Sequence, residues 1–188
     1  CNSKIYVASN DVKSYASDLL GDYQKSNTKT AVAAIQQLQG FTVSEKNISE
    51  GLLHVVKNTN LKGRWQVLQE NPKVICDTAH NKEGLSIVLN QLKKEQYKKL
   101  HIVLGVVLDK NLAAILPMFP KEANYYFCKP NIPRGLSEAI LQEKALNFDL
   151  IGEKYSSVKE AFKSALLNAN QEDTIYVGGS TFVVAEII

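Results

Sequence analysis

Residues 74–106 read VICDTAHNKEGLSIVLNQLKKEQYKKLHIVLGV, two apolar runs on either side of an amphipathic segment. The first run, Val74-Ile75-Cys76, stops abruptly at Asp77. From Glu83 to Tyr97 the apolar residues recur at Leu85, Val88, Leu89 and Leu92, which is helical spacing. His101 to Val106 is apolar almost throughout and reads as a second strand. Strands without a polar face are buried on both sides, and a helix between two of them is the mark of a parallel sheet.

Downstream the alternation continues. A short helix is expected around Leu112 to Leu116, a strand at Tyr125 to Cys128 and a helix from Leu136 to Leu146 with Ser137 near its start. A weaker strand is expected around Phe148 to Ile151. The helix Val158 to Asn168 follows, with Ser156 or Ser157 as its cap. Thr174 to Val177 is the last strand, ended by Gly178-Gly179-Ser180 and a short apolar helix. The expected class is therefore α/β, a Rossmann-like, mostly parallel sheet with helices on both faces.

Upstream the texture changes. Ile5 to Ala8 and Tyr15 to Leu20 read as strands, Lys29 to Leu38 as a helix, and Ser44 with Asn47 opens a further amphipathic stretch. This part carries too little apolar surface to bury a core alone. It reads as the tail of a preceding domain, residues 1–61, with residues 62–188 as the second domain. The chain opens on Cys1 and its single Met is Met118, which is expected of a piece cut from a longer protein.

Composition excludes several classes. With 188 residues, 45% hydrophobic and 22% charged, the chain is a globular protein rather than a disordered one. A net charge of +3 gives little pull toward nucleic acid or an anionic membrane. No run reaches the ~20 apolar residues of a membrane-spanning helix. Three cysteines without metal spacing suit a reducing compartment.

In an open parallel sheet, ligands sit beyond the carboxyl ends of the strands. Two places qualify. In Asp77-Thr78-Ala79-His80-Asn81 a strand-end carboxylate suits two vicinal hydroxyls, and the following helix start suits an anion. The plainer alternative is that Asp77 or Asn81 only caps that helix. In Val177-Gly178-Gly179-Ser180-Thr181 paired glycines allow close approach of a ligand to the backbone; the alternative is a tight turn capped by Ser180. No Walker A pattern and no Gly-x-Gly-x-x-Gly is present. Cys76 reads as a small core residue, Cys128 has no base beside it, His54 and His101 lack metal-spaced partners, and Lys93, Lys94, Lys98 and Lys99 read as a solvated face.

Three ordered segments resemble one family. Leu19-Leu20-Gly21-Asp22-Tyr23-Gln24-Lys25-Ser26-Asn27, Gly63-Arg64-Trp65-Gln66 and Asp77-Thr78-Ala79-His80-Asn81 are similar to elements of the folylpolyglutamate synthases and dihydrofolate synthases, which are Mur-ligase-like. Leu108-Asp109-Lys110-Asn111 and Val177-Gly178-Gly179-Ser180 fall where that family has a D-K-D-like segment and its final turn. Tyr23, Thr78 and Lys82 depart from its common residues.

The resemblance implies an ATP-dependent ligase, cytoplasmic and monomeric. It would activate a carboxylate as an acyl phosphate and couple L-glutamate to dihydropteroate or a folate. ATP and Mg²⁺ would be required, with the P-loop and metal ligands in an ATPase domain upstream, so the isolated chain is expected to be inactive. Carried over by residue, Asn27, Arg64 and Asp77 would contact ATP, and His80 and Ser180 would place the glutamate or the acyl phosphate. A Mur-type peptidoglycan ligase shares the D-x-A-H-N element; a non-catalytic Rossmann-like binding module is the alternative from another class. Gln66 and the Gln24/Asn27 segment favour the folate branch.

Overall fold

The computed structural model describes residues 3–7 and 14–188. The chain divides into two units, Cys1–Arg64 and Trp65–Ile188.

In the first unit, β1 (Lys4–Val7) pairs antiparallel with β2 (Ser14–Ser17), and α1 (Gln24–Gln36), α2 (Glu45–Leu53) and α3 (Val55–Thr59) follow. Ala8, expected at the end of the first strand, lies outside the described residues. Its core is small: Tyr15, Val32 and Ile48 are buried, with Ile35 and Leu52 packed against them. Polar ties supplement it. Ser44 and Asn47 form a capping box on α2, and the Asp18 carboxylate accepts from Val55 N–H and Val56 N–H at 3.1 and 2.9 Å, capping α3. Helix α1 begins five residues before the expected Lys29, so Asn27 lies on the helix.

The second unit is one six-stranded sheet. Its elements are β3 (Gln66–Glu70), β4 (Lys73–Cys76), α4 (Lys82–Leu92), β5 (Leu100–Leu104), α5 (Leu112–Ile115) with a 3-10 turn (Leu116–Met118), β6 (Asn124–Cys128), α6 (Glu138–Leu146), β7 (Gly152–Tyr155), α7 (Val158–Asn168), β8 (Thr174–Gly178) and α8 (Thr181–Ala185). The strand order is β3-β4-β8-β5-β6-β7, all parallel except for β3, which pairs antiparallel with β4. The sheet is thus mixed and mostly parallel. Strand β3 was not expected from the sequence: Gln66-Val67-Leu68-Gln69-Glu70 is half polar, as an edge strand is, and a bulge between Val67 and Gln69 interrupts its alternation.

The chain crosses from β4 to β5, β5 to β6 and β6 to β7 in one direction and returns from β7 to β8 in the other; with the right-handed crossovers that parallel strands take, α4, α5 and α6 fall on one face and α7 on the other. On the α7 face Val74, Cys76, Val103, Tyr126, Cys128, Ile175 and Val177 pack against Val158, Ala161, Ala165, Val183 and Val184. The alternate strand residues Ile75, Ile102, Leu104, Tyr125, Phe127 and Tyr176 are just as buried on the opposite face.

Helix α4 ends at Leu92 rather than running to Tyr97, and the strand expected at Phe148 to Ile151 lies instead at Gly152–Tyr155. Phe148 and Asp149 close the end of α6, their N–H groups donating to Ala145 O and Leu146 O, with Asp149 at φ +61°.

Candidate functional site

The centre of the sheet supplies the candidate site. Strands β4 and β8 run in parallel with Cys76 opposite Val177, and Asp77 N–H continues the ladder to Val177 O at 3.2 Å. Register therefore sets the Asp77 loop and the Gly178–Ser180 turn side by side at the carboxyl ends of the two strands. Asp77, His80 and Ser180 belong to this unit; Asn27 and Arg64 belong to the first.

Asp77 is 1% exposed. Its Oδ2 accepts from Trp65 N–H at 2.7 Å and its Oδ1 from Ala79 N–H at 2.8 Å. The carboxylate stands at the strand end, as expected, but it is buried and bonded to backbone at both oxygens rather than openly displayed. It does not cap α4: Asn81 does, its Oδ1 accepting from Gly84 N–H at 2.8 Å. His80 is exposed and its Nδ1 lies 3.1 Å from Thr78 O. A carbonyl only accepts, so Nδ1 carries the proton and Nε2 of the neutral ring is the acceptor.

Ser180 is 3% exposed and caps α8, its Oγ accepting from Phe182 N–H at 3.2 Å. Gly178 and Gly179 are buried as well. The glycines answer to the chain's own packing. Gly179 has φ +91°, and a Cβ there would come within 2.6 Å of Leu104 Cδ1 and 2.7 Å of Gly105 O.

Asn27 is exposed on α1 and donates through Nδ2 to Gln24 Oε1 at 2.9 Å. Arg64 is half-buried, its Nη1 3.5 Å from Gly63 O. In the D-K-D-like segment Asn111 caps α5, its side chain accepting from Ala114 N–H at 3.2 Å. Cys76 and Cys128 are buried free thiols; burial pushes the Cys76 thiol up to about 12 and Cys128 higher still, so neither is a thiolate at neutral pH.

Sequence reasoning passed over two features. Arg134, in Pro133-Arg134-Gly135 after β6, lies 5.1 Å from the centre of the Phe182 ring and 4.0 Å from Asp109. The signal was a lone Arg beside Pro and Gly just past a strand. A cavity of about 570 Å³ opens at the carboxyl ends of β6 and β7, where Lys129 and Lys159 face Ser156, Ser157 and Glu186. These cations suit carboxylates or phosphates. Among the described residues no three His, Cys, Asp or Glu side chains gather as a metal site, and no helix is long and apolar enough to cross a membrane.

Residues 63–181 match the family described as Mur ligase, glutamate ligase domain. The dihydrofolate synthase/folylpolyglutamate synthase of Escherichia coli (strain K12) is 32% identical over 164 residues, 86% of this chain and 37% of that enzyme. A solved structure of E. coli FolC in complex with DHPP and ADP superimposes with a TM-score of 0.79 at 28% identity, covering 98% of this chain and 44% of that one. A bifunctional folylpolyglutamate synthase/dihydrofolate synthase with Mn, AMPPNP and L-glutamate bound gives 0.72 at 29% identity, covering 85% and 37%. The chain thus spans less than half the length of each of these three relatives.

Proposed function

The chain belongs to the Mur ligase family, as a glutamate ligase domain of the folylpolyglutamate/dihydrofolate synthase type, and on that premise we propose that it is part of an ATP-dependent, cytoplasmic ligase joining L-glutamate to dihydropteroate or to folate carrying glutamates. The observation that carries the proposal is the register of β4 and β8, which seats the Asp77-Thr78-Ala79-His80-Asn81 loop beside the Gly178-Gly179-Ser180 turn.

In the proposed chemistry the acceptor carboxylate is activated by ATP as an acyl phosphate, and the glutamate amine displaces phosphate to leave the amide. Asn27 offers an amide suited to the adenine edge and Arg64 a planar guanidinium suited to phosphate. Asp77 is assigned to the ribose hydroxyls, to which a carboxylate at the end of a strand offers acceptors. His80 Nε2 accepts from the glutamate ammonium, and the Ser180 hydroxyl, whose oxygen already serves Phe182 N–H, donates to a carboxylate or the acyl phosphate. Residues 1–61 are assigned to the end of a P-loop ATPase domain and 62–188 to the ligase domain. The phosphate cradle and Mg²⁺ ligands are assigned to the chain upstream, so residues 1–188 alone are expected to be inactive.

Purified longer protein should release ADP only when glutamate and a dihydropteroate or folate are both supplied, and the 188-residue chain should release none. ADP release with a muramoyl-peptide acceptor instead would move the assignment to a peptidoglycan ligase. An upstream reading frame without a Gly-Lys-Ser/Thr P-loop would favour a binding module.

A further inference from the structure

Trp65 opens the second unit in a conformation that its residue type disfavours. Its φ is +48°, where the Cβ of an L-residue crowds the following carbonyl oxygen. Asn60 at +53° and Gly63 at +67° are residue types that accept this region; a bulky aromatic is not. Two features hold Trp65 there. The residue is buried, at 3% exposure, and its N–H donates to Asp77 Oδ2 at 2.7 Å, a short, charge-assisted bond. The other oxygen of the same carboxylate holds Ala79 N–H, one residue before His80.

We propose that Trp65 is a positioning residue for the nucleotide: its left-handed backbone aims the N–H that fixes the Asp77 carboxylate, and with it the loop to His80, in the orientation that receives the ribose. The inference rests on the nucleotide reading above and adds to it a residue that touches no substrate. Burial of the indole anchors the residue, and the backbone conformation does the aiming. Those two contributions separate on substitution, because Gly enters the left-handed region freely whereas Ala does not.

The test measures ADP affinity in the longer ligase for Trp65→Phe, Trp65→Gly and Trp65→Ala, with melting temperatures beside it, and hydrogen exchange of the residue-65 amide in wild type and Asp77→Asn. Trp65→Phe should rescue, binding ADP within about twofold of wild type, since a buried ring and the same N–H remain. Trp65→Gly and Trp65→Ala should both lower the melting temperature, but Gly should bind ADP about fivefold more tightly than Ala, the ratio expected from the left-handed penalty. The residue-65 amide should exchange at least tenfold faster in Asp77→Asn. Equal or better binding by the Ala variant, or unchanged exchange in Asp77→Asn, overturns the proposal and leaves Trp65 as packing. If both truncations fail to fold, the exchange measurement decides alone. A longer protein with no affinity for ADP overturns the nucleotide reading instead, and the exchange result still decides whether Trp65 fixes Asp77.

Discussion

A serine that caps a helix and a serine that holds a substrate lose different things on replacement by alanine. Ser180 has the geometry of a cap, so Ser180→Ala should cost about 1 kcal/mol, a fall of roughly 2–4 °C in melting temperature. The glutamate role predicts in addition a KM for glutamate that rises more than the KM for ATP; a melting shift with unchanged kinetics would leave only the cap. Arg64 separates differently. Loss of a charge-assisted phosphate bond in Arg64→Ala is worth about 1.5–3 kcal/mol, roughly ten- to over a hundredfold in kcat/KM for ATP, and Arg64→Lys should restore only part because an ammonium lacks the planar fork. Normal ATP kinetics in folded Arg64→Ala protein would remove it from the site. At this scale the sequence was legible as far as the two strand ends that bear Asp77 and Ser180, since strand ends show in apolar runs. It did not reveal that Asp77 turns inward to Trp65 N–H, because a bond between residues twelve apart depends on where the chain returns.

Elements were legible where local signals agreed. Ser137, Ser157 and Asn81 each precede an apolar-periodic run, and each is the observed cap. The shifted strand β7 shows the opposite case. Phe148 to Ile151 is the more apolar segment, yet Gly152-Glu153-Lys154-Tyr155 pairs with β6. An edge strand is chosen by backbone fit rather than hydrophobicity, and Gly152 lies so close to Tyr125 O that a Cβ would collide with it. Gly152→Ala should therefore destabilise by about 1–3 kcal/mol, with the earliest loss of amide protection in β7. An unchanged melting temperature would mean that β7 shifts its pairing freely.

Across the whole second unit, a polar cluster ties the amino ends of the strands, opposite the candidate site. His101, 1% exposed, has Nδ1 2.9 Å from Tyr126 Oη and Nε2 3.5 Å from Asp173 Oδ2. Burial lowers His101 below its ordinary range, opposed by Asp173 and reinforced by Lys99. Burial also pushes Asp173 upward, but bonds from Asn170, His101 and Lys99 N–H outweigh it and hold the carboxyl below the usual range. Both folded values lie below the unfolded ones, so both groups take up protons more readily in the unfolded chain and both contributions are lost on acidification. The His101 contribution is complete above the unfolded value of about 6.5 and falls as pH drops through the folded value; that of Asp173 follows below about 4. The melting temperature should thus decline from pH 7.5 to pH 5, and His101→Asn should flatten that slope. An equally steep decline in the variant would place the acid sensitivity elsewhere.

Periodicity and apolar runs by themselves determined the α/β class, the order of most elements and the strand ends that bear Asp77 and Ser180. These follow from burial on both faces of a parallel sheet, a property each strand carries locally. Tertiary structure alone decided that β3 joins the sheet antiparallel, that β8 lies between β4 and β5, and that the glycine turn packs against Leu104 and Gly105. It also decided that the Asp77 carboxylate accepts from the N–H groups of Trp65 and Ala79. Partners of this kind come from segments far apart in the chain, and no local pattern encodes which backbone N–H will arrive beside a buried oxygen.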